Sequence, residues 1–228
     1  MKVCAIIVAA GRGQRMGTKI FKQFLEIENK PILAHTLEKF CQSELIDSII
    51  VVIPKSWYHF VVENIIDKYN FTKVTKIQFG GSTRQDSVYK ALKSVSQDTI
   101  TVVIHDAVRP FVSQNLLQKV IHKGKETGAA IVAVPVQESL KKVAGKQVAY
   151  SINRESVWLV QTPQVFQKDL VLNAYHQAFF NCITATDDSE LVELLGHPIY
   201  VVKGSRTNIK ITTPGDLKLA KLLIKKMR

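Results

Sequence analysis

The sequence is poor in several things at once. Its 228 residues hold three cysteines, Cys4, Cys41 and Cys182, odd in number and far apart. They form no Cys-x-x-Cys or Cys/His zinc spacing, and the six histidines complete no metal-ligand pattern. A disulfide scaffold, a zinc module and a dithiol centre are therefore excluded, and buried thiols in a reducing cytosol are expected. No apolar stretch reaches the about 18 residues of a membrane-crossing helix. Nothing like a secretory leader precedes the first apolar run, so a cytoplasmic location is expected. Aromatic residues make up 8% and are not interleaved with a basic stripe, the mark of a single-strand nucleic-acid surface. The net charge of +12 is spread along the chain, densest over 218–228, where cations alternate with Leu and Ile as on an amphipathic helix with a solvated basic face. A nucleic-acid binder is suggested by that charge alone, and weak, salt-sensitive binding would mark it as incidental.

What is present is concentrated near the start. The apolar run Val3-Cys4-Ala5-Ile6-Ile7-Val8 is too short for a helix and too apolar for a half-exposed strand, so it reads as a central parallel strand. It feeds into Ala9-Ala10-Gly11-Arg12-Gly13-Gln14-Arg15-Met16-Gly17, with Lys22 beyond. Small residues let backbone N–H groups approach an anion, and Arg15 and Lys22 are placed to neutralise it, which is phosphate-handling chemistry. The stretch lacks the Gly-Lys-Ser/Thr of a Walker A loop, and Met16 stands where G-x-G-x-x-G needs its third glycine. The plain alternative is an ordinary strand-to-helix turn.

A hydrophobic content of 46% and this length give one domain over residues 1–228. Strand-like runs fall at 3–8, 49–53, 75–79, 100–105, 129–134 and 199–202, with helical patterns at 32–40, at 57–69 and after a cap at Ser82 or Thr83. Such alternation predicts an α/β, Rossmann-like, mostly parallel sheet with helices on both faces. Ligands of these sheets bind beyond the carboxyl ends of the strands. The loops expected there are 11–17, Gly80-Gly81-Ser82 and His105-Asp106-Ala107-Val108-Arg109-Pro110. Residues 136–153 break the rhythm: Gly145-Lys146 between two short alternating segments predicts a protruding β-hairpin, a natural dimerisation arm or a plain surface excursion.

Together these motifs resemble the sugar-phosphate nucleotidylyltransferases, and more narrowly the 2-C-methyl-D-erythritol 4-phosphate cytidylyltransferase family. The matching text runs over nearly the whole chain: 9–16, Lys22-Gln23-Phe24-Leu25, 80–88, 105–110, Asn153-Arg154, Gln161-Thr162-Pro163-Gln164, Thr186-Asp187-Asp188 and 208–212. Two departures stand out. Phe21 occupies a position that is usually proline, which removes a stiff turn before Lys22. Glu138-Ser139 stands for Asp-Thr, and serine keeps the hydroxyl. The sister ribitol 5-phosphate cytidylyltransferases share much of this text, but 157–163 and 186–193 look more like the methylerythritol branch. An inactive nucleotide-binding regulatory domain of the same fold is the alternative from another class.

The resemblance implies attack by a substrate phosphate oxygen on the α-phosphorus of CTP, with Mg²⁺ as cofactor, CTP and a polyol phosphate as ligands, and a homodimer. It assigns Arg15, Lys22 and Lys210 to catalysis. Ala9, Ala10, Gly11, Gly13, Gly80, Gly81, Ser82, Ser87, Asp106 and Ala107 go to the nucleotide. Asp106, Arg109, Ser139, Arg154, Thr162 and Thr186 go to the second substrate. Asp106 accepts hydrogen bonds from substrate hydroxyls in this scheme, with a metal role or a plain helix cap as alternatives. His105 is expected to make a structural hydrogen bond at a strand end.

Overall fold

The computed structural model describes residues 2–13, 16 and 20–226. The opening run forms β1 (Lys2–Val8), followed by a small hairpin of β2 (Glu26–Ile27) and β3 (Lys30–Pro31). Next come α1 (Ile32–Cys41), β4 (Ser48–Ile53), α2 (Tyr58–Val61), β5 (Val74–Phe79), α3 (Arg84–Leu92) and β6 (Thr99–Asp106). The second half holds α4 (Gln114–Thr127), β7 (Ala129–Pro135), β8 (Leu140–Ala144), β9 (Gln147–Ile152) and β10 (Trp158–Gln167). It ends with α5 (Lys168–Phe180), α6 (Asp188–Glu193), β11 (Tyr200–Lys203) and α7 (Pro214–Lys226).

Seven strands form one sheet in the order β11-β7-β10-β6-β1-β4-β5, parallel except for β10. β1 is central because its side chains are buried on both faces. Val3, Ala5 and Ile7 join one core with Leu33, Leu37, Leu117 and Val120, while Cys4 and Ile6 join the other with Val88, Leu92, Val171 and Tyr175. Helices thus cover both faces, as the alternating pattern predicts. A third cluster of Ile27, Ile32, Val108, Phe111, Ile211 and Ala220 seats α7. From β1 the sheet grows through β4 and β5 on one side and β6 on the other. The crevice between the carboxyl ends of β1 and β6 is therefore the topological switch point at which such sheets take ligands.

Four local features differ from expectation or sharpen it. The pattern over 57–69 yields α2 followed by a wider π-helical stretch, Val62–Asp67. The helix at 84 is capped by Thr83, not Ser82, in a reciprocal box: Asp86 N–H donates to Thr83 Oγ1 and Thr83 N–H to Asp86 Oδ2, each at 3.0 Å. β10 is absent from the predicted strands because Pro163 interrupts its run, and an internal proline argues against a central strand. The fold tolerates it at an irregularity: the register against β7 shifts between Gln161, opposite Val132, and Gln164, opposite Ile131. The hairpin at 136–153 is present as β8 and β9, turning at Gly145 with φ of 60°, and nearly every residue of it is exposed.

Candidate active site

An open cavity of about 670 Å³ occupies the switch point. One wall is the loop after β1, with Ala9, Ala10, Gly11, Arg12 and Gly13 lining it, and Lys22 and Gln23 behind. Gln23 is buried and its amide donates to the carbonyls of Ala9 and Gly11, the latter at 3.2 Å, which ties the loop down from inside. Gln23 is placed in turn by its neighbours in the short 3-10 turn Lys22–Phe24. Phe24 stacks on Trp57 at 4.4 Å, and Phe21 meets the same indole edge-on at 5.8 Å. The missing proline is therefore replaced by aromatic packing. Phe21 has φ of −60° and ψ of 130°, which are values a proline would take, and its ring supplies an anchor of its own.

The opposite wall is the N-terminal end of α3: Gly81, Ser82, Thr83, Arg84 and Ser87 line the cavity. Gly80 lies beneath it, where a Cβ would fall 2.4 Å from the Cβ of Ala10. A glycine here is what lets the two walls close up. Ala107 also sits below the cavity, fully buried, with its N–H bonded to Val8 O and its carbonyl accepting from Thr36. The structure thus places Ala107 under the floor, lining neither cavity, where the resemblance has it touching the nucleotide.

The floor is Asp106 at the end of β6. Its carboxylate meets Lys210 Nζ at 2.9 Å, Arg84 Nε at 3.4 Å and Arg109 Nε at 3.6 Å. Burial alone would push this carboxyl up, but the charges of Arg84, Lys210 and Arg109 outweigh it and hold it well below the usual carboxylate range. No helix starts at Asp106, so the plain cap reading does not apply. Among the described residues no group of three or more His, Cys, Asp or Glu is placed to hold a metal ion. One carboxylate already opposed by three cations is not a cage, so the donor set suits a hard divalent ion only if a triphosphate brings most of the ligands.

A second cavity of about 190 Å³ shares Arg84, Asp106 and Lys210 with the first and extends to Arg109, Thr162, Gln164, Thr186 and Asp187. The irregularity in β10 brings Thr162 here. Asp106 N–H donates to Thr162 Oγ1 at 3.1 Å, and that oxygen lies 3.0 Å from His105 Nδ1. His105 Nε2 lies 3.0 Å from Arg109 O, and a carbonyl can only accept, so Nε2 carries the proton and Nδ1 accepts from the threonine hydroxyl. Burial pushes His105 down to about 4, keeping it neutral in this chain of bonds. Arg109 reaches Asn208 O at 2.8 Å, and buried Asn208 donates to Thr162 O at 2.9 Å, which fastens the loop that carries Lys210.

Lys22, Lys210, Ala9, Ala10, Gly11, Gly13, Gly81, Ser82, Ser87 and Asp106 thus gather on the large cavity, and Arg109, Thr162 and Thr186 on the small one. Arg15 lies outside the described residues. Ser139 and Arg154 are exposed at the arm and line neither cavity; Arg154 donates to Gln137 O. Sequence reasoning gave no role to Gln23, Arg84 or Asp188. Only Arg84 left a signal, as a cation in the first turn of a helix, where the dipole disfavours it.

A glycine-rich loop and a buried carboxylate ringed by cations, at the switch point of such a sheet, define an α/β nucleotidyltransferase. The 2-C-methyl-D-erythritol 4-phosphate cytidylyltransferase family model matches residues 3–226. Proteins of that name from Alkaliphilus oremlandii and Syntrophus aciditrophicus are 44% and 46% identical, over 100% and 99% of this chain and 97% of each of theirs. A solved 4-diphosphocytidyl-2C-methyl-D-erythritol synthase from Anaerococcus prevotii superposes with a TM-score of 0.86 at 32% identity, covering 98% of this chain and 96% of that one. The Francisella tularensis cytidylyltransferase does so with 0.83 at 34%, over 97% and 99%. The chain belongs to the 2-C-methyl-D-erythritol 4-phosphate cytidylyltransferase family.

Proposed function

We propose that this chain joins CTP to 2-C-methyl-D-erythritol 4-phosphate, giving CDP-methylerythritol and pyrophosphate for isoprenoid precursors. The observation that carries it is the pair of cavities meeting at Asp106: the larger suits a nucleoside triphosphate, and the smaller, with Arg109, Thr162 and Thr186, suits a polyol phosphate. A phosphate oxygen of the polyol phosphate attacks the α-phosphorus, a new P–O bond forms, and the bond to the β-phosphate breaks with pyrophosphate leaving. The nucleophile is already an anion, so no general base is needed. The protein holds two polyanions in line and meets the charge of the transition state with Lys22, Lys210 and Arg15. Mg²⁺ is the expected cofactor; Asp106 would help to hold it beside the triphosphate, and it would supply further charge neutralisation.

The chain acts as a cytoplasmic homodimer on this reading. Among the described residues no helix is long and apolar enough to cross a membrane. The arm exposes Val143, Val148 and Tyr150, and its foot exposes Leu159, an apolar surface that a partner chain would cover.

Two outcomes are expected. CTP should be strongly preferred over UTP, ATP and GTP: the family match leads to CTP, and the close approach of the loops at Gly80 and Gly81 leaves little room for a purine. Pyrophosphate release with methylerythritol phosphate and ribitol phosphate side by side tests both substrates, and comparable kcat/KM with ATP would place the chain in another branch. Gly13→Val should keep the fold but lower turnover by up to about 10²-fold, the cost of displacing a reacting group by an ångström. Gly13 has φ of 64°, and a Cβ there would lie 2.9 Å from Cγ and Cδ of Lys22. Circular dichroism with kcat measures this, and unchanged turnover would show that Lys22 does not depend on the loop.

A further inference from the structure

Arg84 stands where the two cavities meet, and against the electrostatics of its own helix, since it is the first residue of α3. Carboxylates hold it there. Its Nη1 and Nη2 take the two oxygens of Asp188 at 2.9 and 2.7 Å, a fork-to-fork pair. Asp188 is fully buried and also accepts from the Tyr175 hydroxyl. Gln85, the next residue, bonds Ile183 O at 3.0 Å and Ala185 N at 3.1 Å, which fastens the start of α3 to the chain entering α6. The guanidinium is pinned by both oxygens of Asp188, and its Nε faces Asp106.

The other cations on Asp106 are held differently. Lys210 touches it with a single ammonium, and its side chain is 38% exposed toward the cavity. Arg109 borders the smaller cavity, is anchored through Nη1 on Asn208 O at 2.8 Å, and stands farthest from Asp106, with Nε at 3.6 Å. A triphosphate in the large cavity competes with Asp106 for Lys210, and whatever leaves Asp106 leaves a buried carboxylate with less opposing charge, which is costly. Arg84 is kept from following the ligand by its two-pronged pair with the buried Asp188 carboxylate.

We propose that Arg84 is the fixed counter-ion of Asp106, a positioning residue that lets Lys210 be handed from Asp106 to the nucleotide's phosphates. The proposal rests on Lys210 as a triphosphate ligand. With Arg84 neutral, Asp106 grips Lys210 harder and CTP binds less tightly; with Asp106 neutral, Lys210 is already released and Arg84 no longer matters.

The test is calorimetric titration of the full-length protein with CTP and Mg²⁺, without the second substrate. Arg84→Gln alone would strand the buried Asp188 charge, so it is made together with Asp188→Asn, which sets amide against amide; thermal melting checks folding. The paired variant should weaken CTP binding by about tenfold, within the usual range of coupling between sites. In an Asp106→Asn background the same pair should change it less than twofold, since a residue acting through another loses its effect when that other is removed. An equal loss in both backgrounds would mean that Arg84 touches the nucleotide itself or merely supports the fold, and overturns the proposal. So does no loss in either. Lys210→Met separates the two levels. If it binds CTP like the wild type, the assignment of Lys210 fails and the hand-over with it. If it binds weakly while the paired variant binds normally, the hand-over alone is wrong.

Discussion

Replacing Lys22 by alanine is expected to lower kcat by about 10²–10³, the usual cost of losing one preorganised charge aimed at a developing oxyanion. Lys22 lines the large cavity beside Gly13, on a turn whose other members face the interior: Gln23 into the loop carbonyls and Phe24 into the aromatic cluster. Gln23 and Phe24 both fasten the turn, so the loop is expected to stay in place when the ammonium is removed. Thermal melting of Lys22→Ala should stay near the wild type while single-turnover rates fall. Near-normal turnover would remove Lys22 from the chemistry. A large fall in melting temperature would make it a structural residue. Arg15→Ala is expected to behave in the same way.

The second large effect is a recovery. Lys22→Ala and Arg154→Ala should each be nearly inactive alone and regain about a quarter of wild-type activity when mixed under conditions of subunit exchange. Arg154 and Ser139 line neither cavity of their own chain, and the arm that carries them exposes apolar side chains. On the proposed reading each arm of a two-fold dimer would reach the partner's small cavity, where an arginine fork would suit the substrate phosphate. Random exchange puts half the molecules in mixed dimers, each with one site whose lysine and arginine are both intact, hence about one quarter. No recovery despite demonstrated exchange would place Arg154 in its own chain's site and leave the arm a structural contact.

Much of this was legible in the sequence, for reasons that can be named. β1, β4 and β6 announce themselves because strands buried on both faces must be continuously apolar, and the cap was narrowed to Ser82 or Thr83 because caps are local. The cavity-lining loops were legible because small residues and cations after such strands have few other uses. β10 was hidden because its proline reads as a break, and its tolerance depends on a register shift set by strands distant in sequence. Arg84 and Asp188 were hidden for a similar reason. They lie on separate helices and make sense only as a pair, which local periodicity does not reveal. Gln23 was missed because a polar residue between a lysine and a phenylalanine carries no pattern until the loop it fastens is folded beside it.

The single reversed strand has one more consequence. β7 leaves the sheet at the carboxyl edge of β6, and β10, running the other way, enters from that same edge, with Gln164 opposite Ile104 and the residues before it reaching Asp106. Both feet of the arm therefore stand on the rim of the pocket, though the arm pairs with no strand of the large sheet. Its length can change without shifting any register, since lengthening a surface excursion adds little to the entropy of closing it. The chain thus divides into a rigid edge that handles phosphate and an appendage that can be re-cut at small thermodynamic cost.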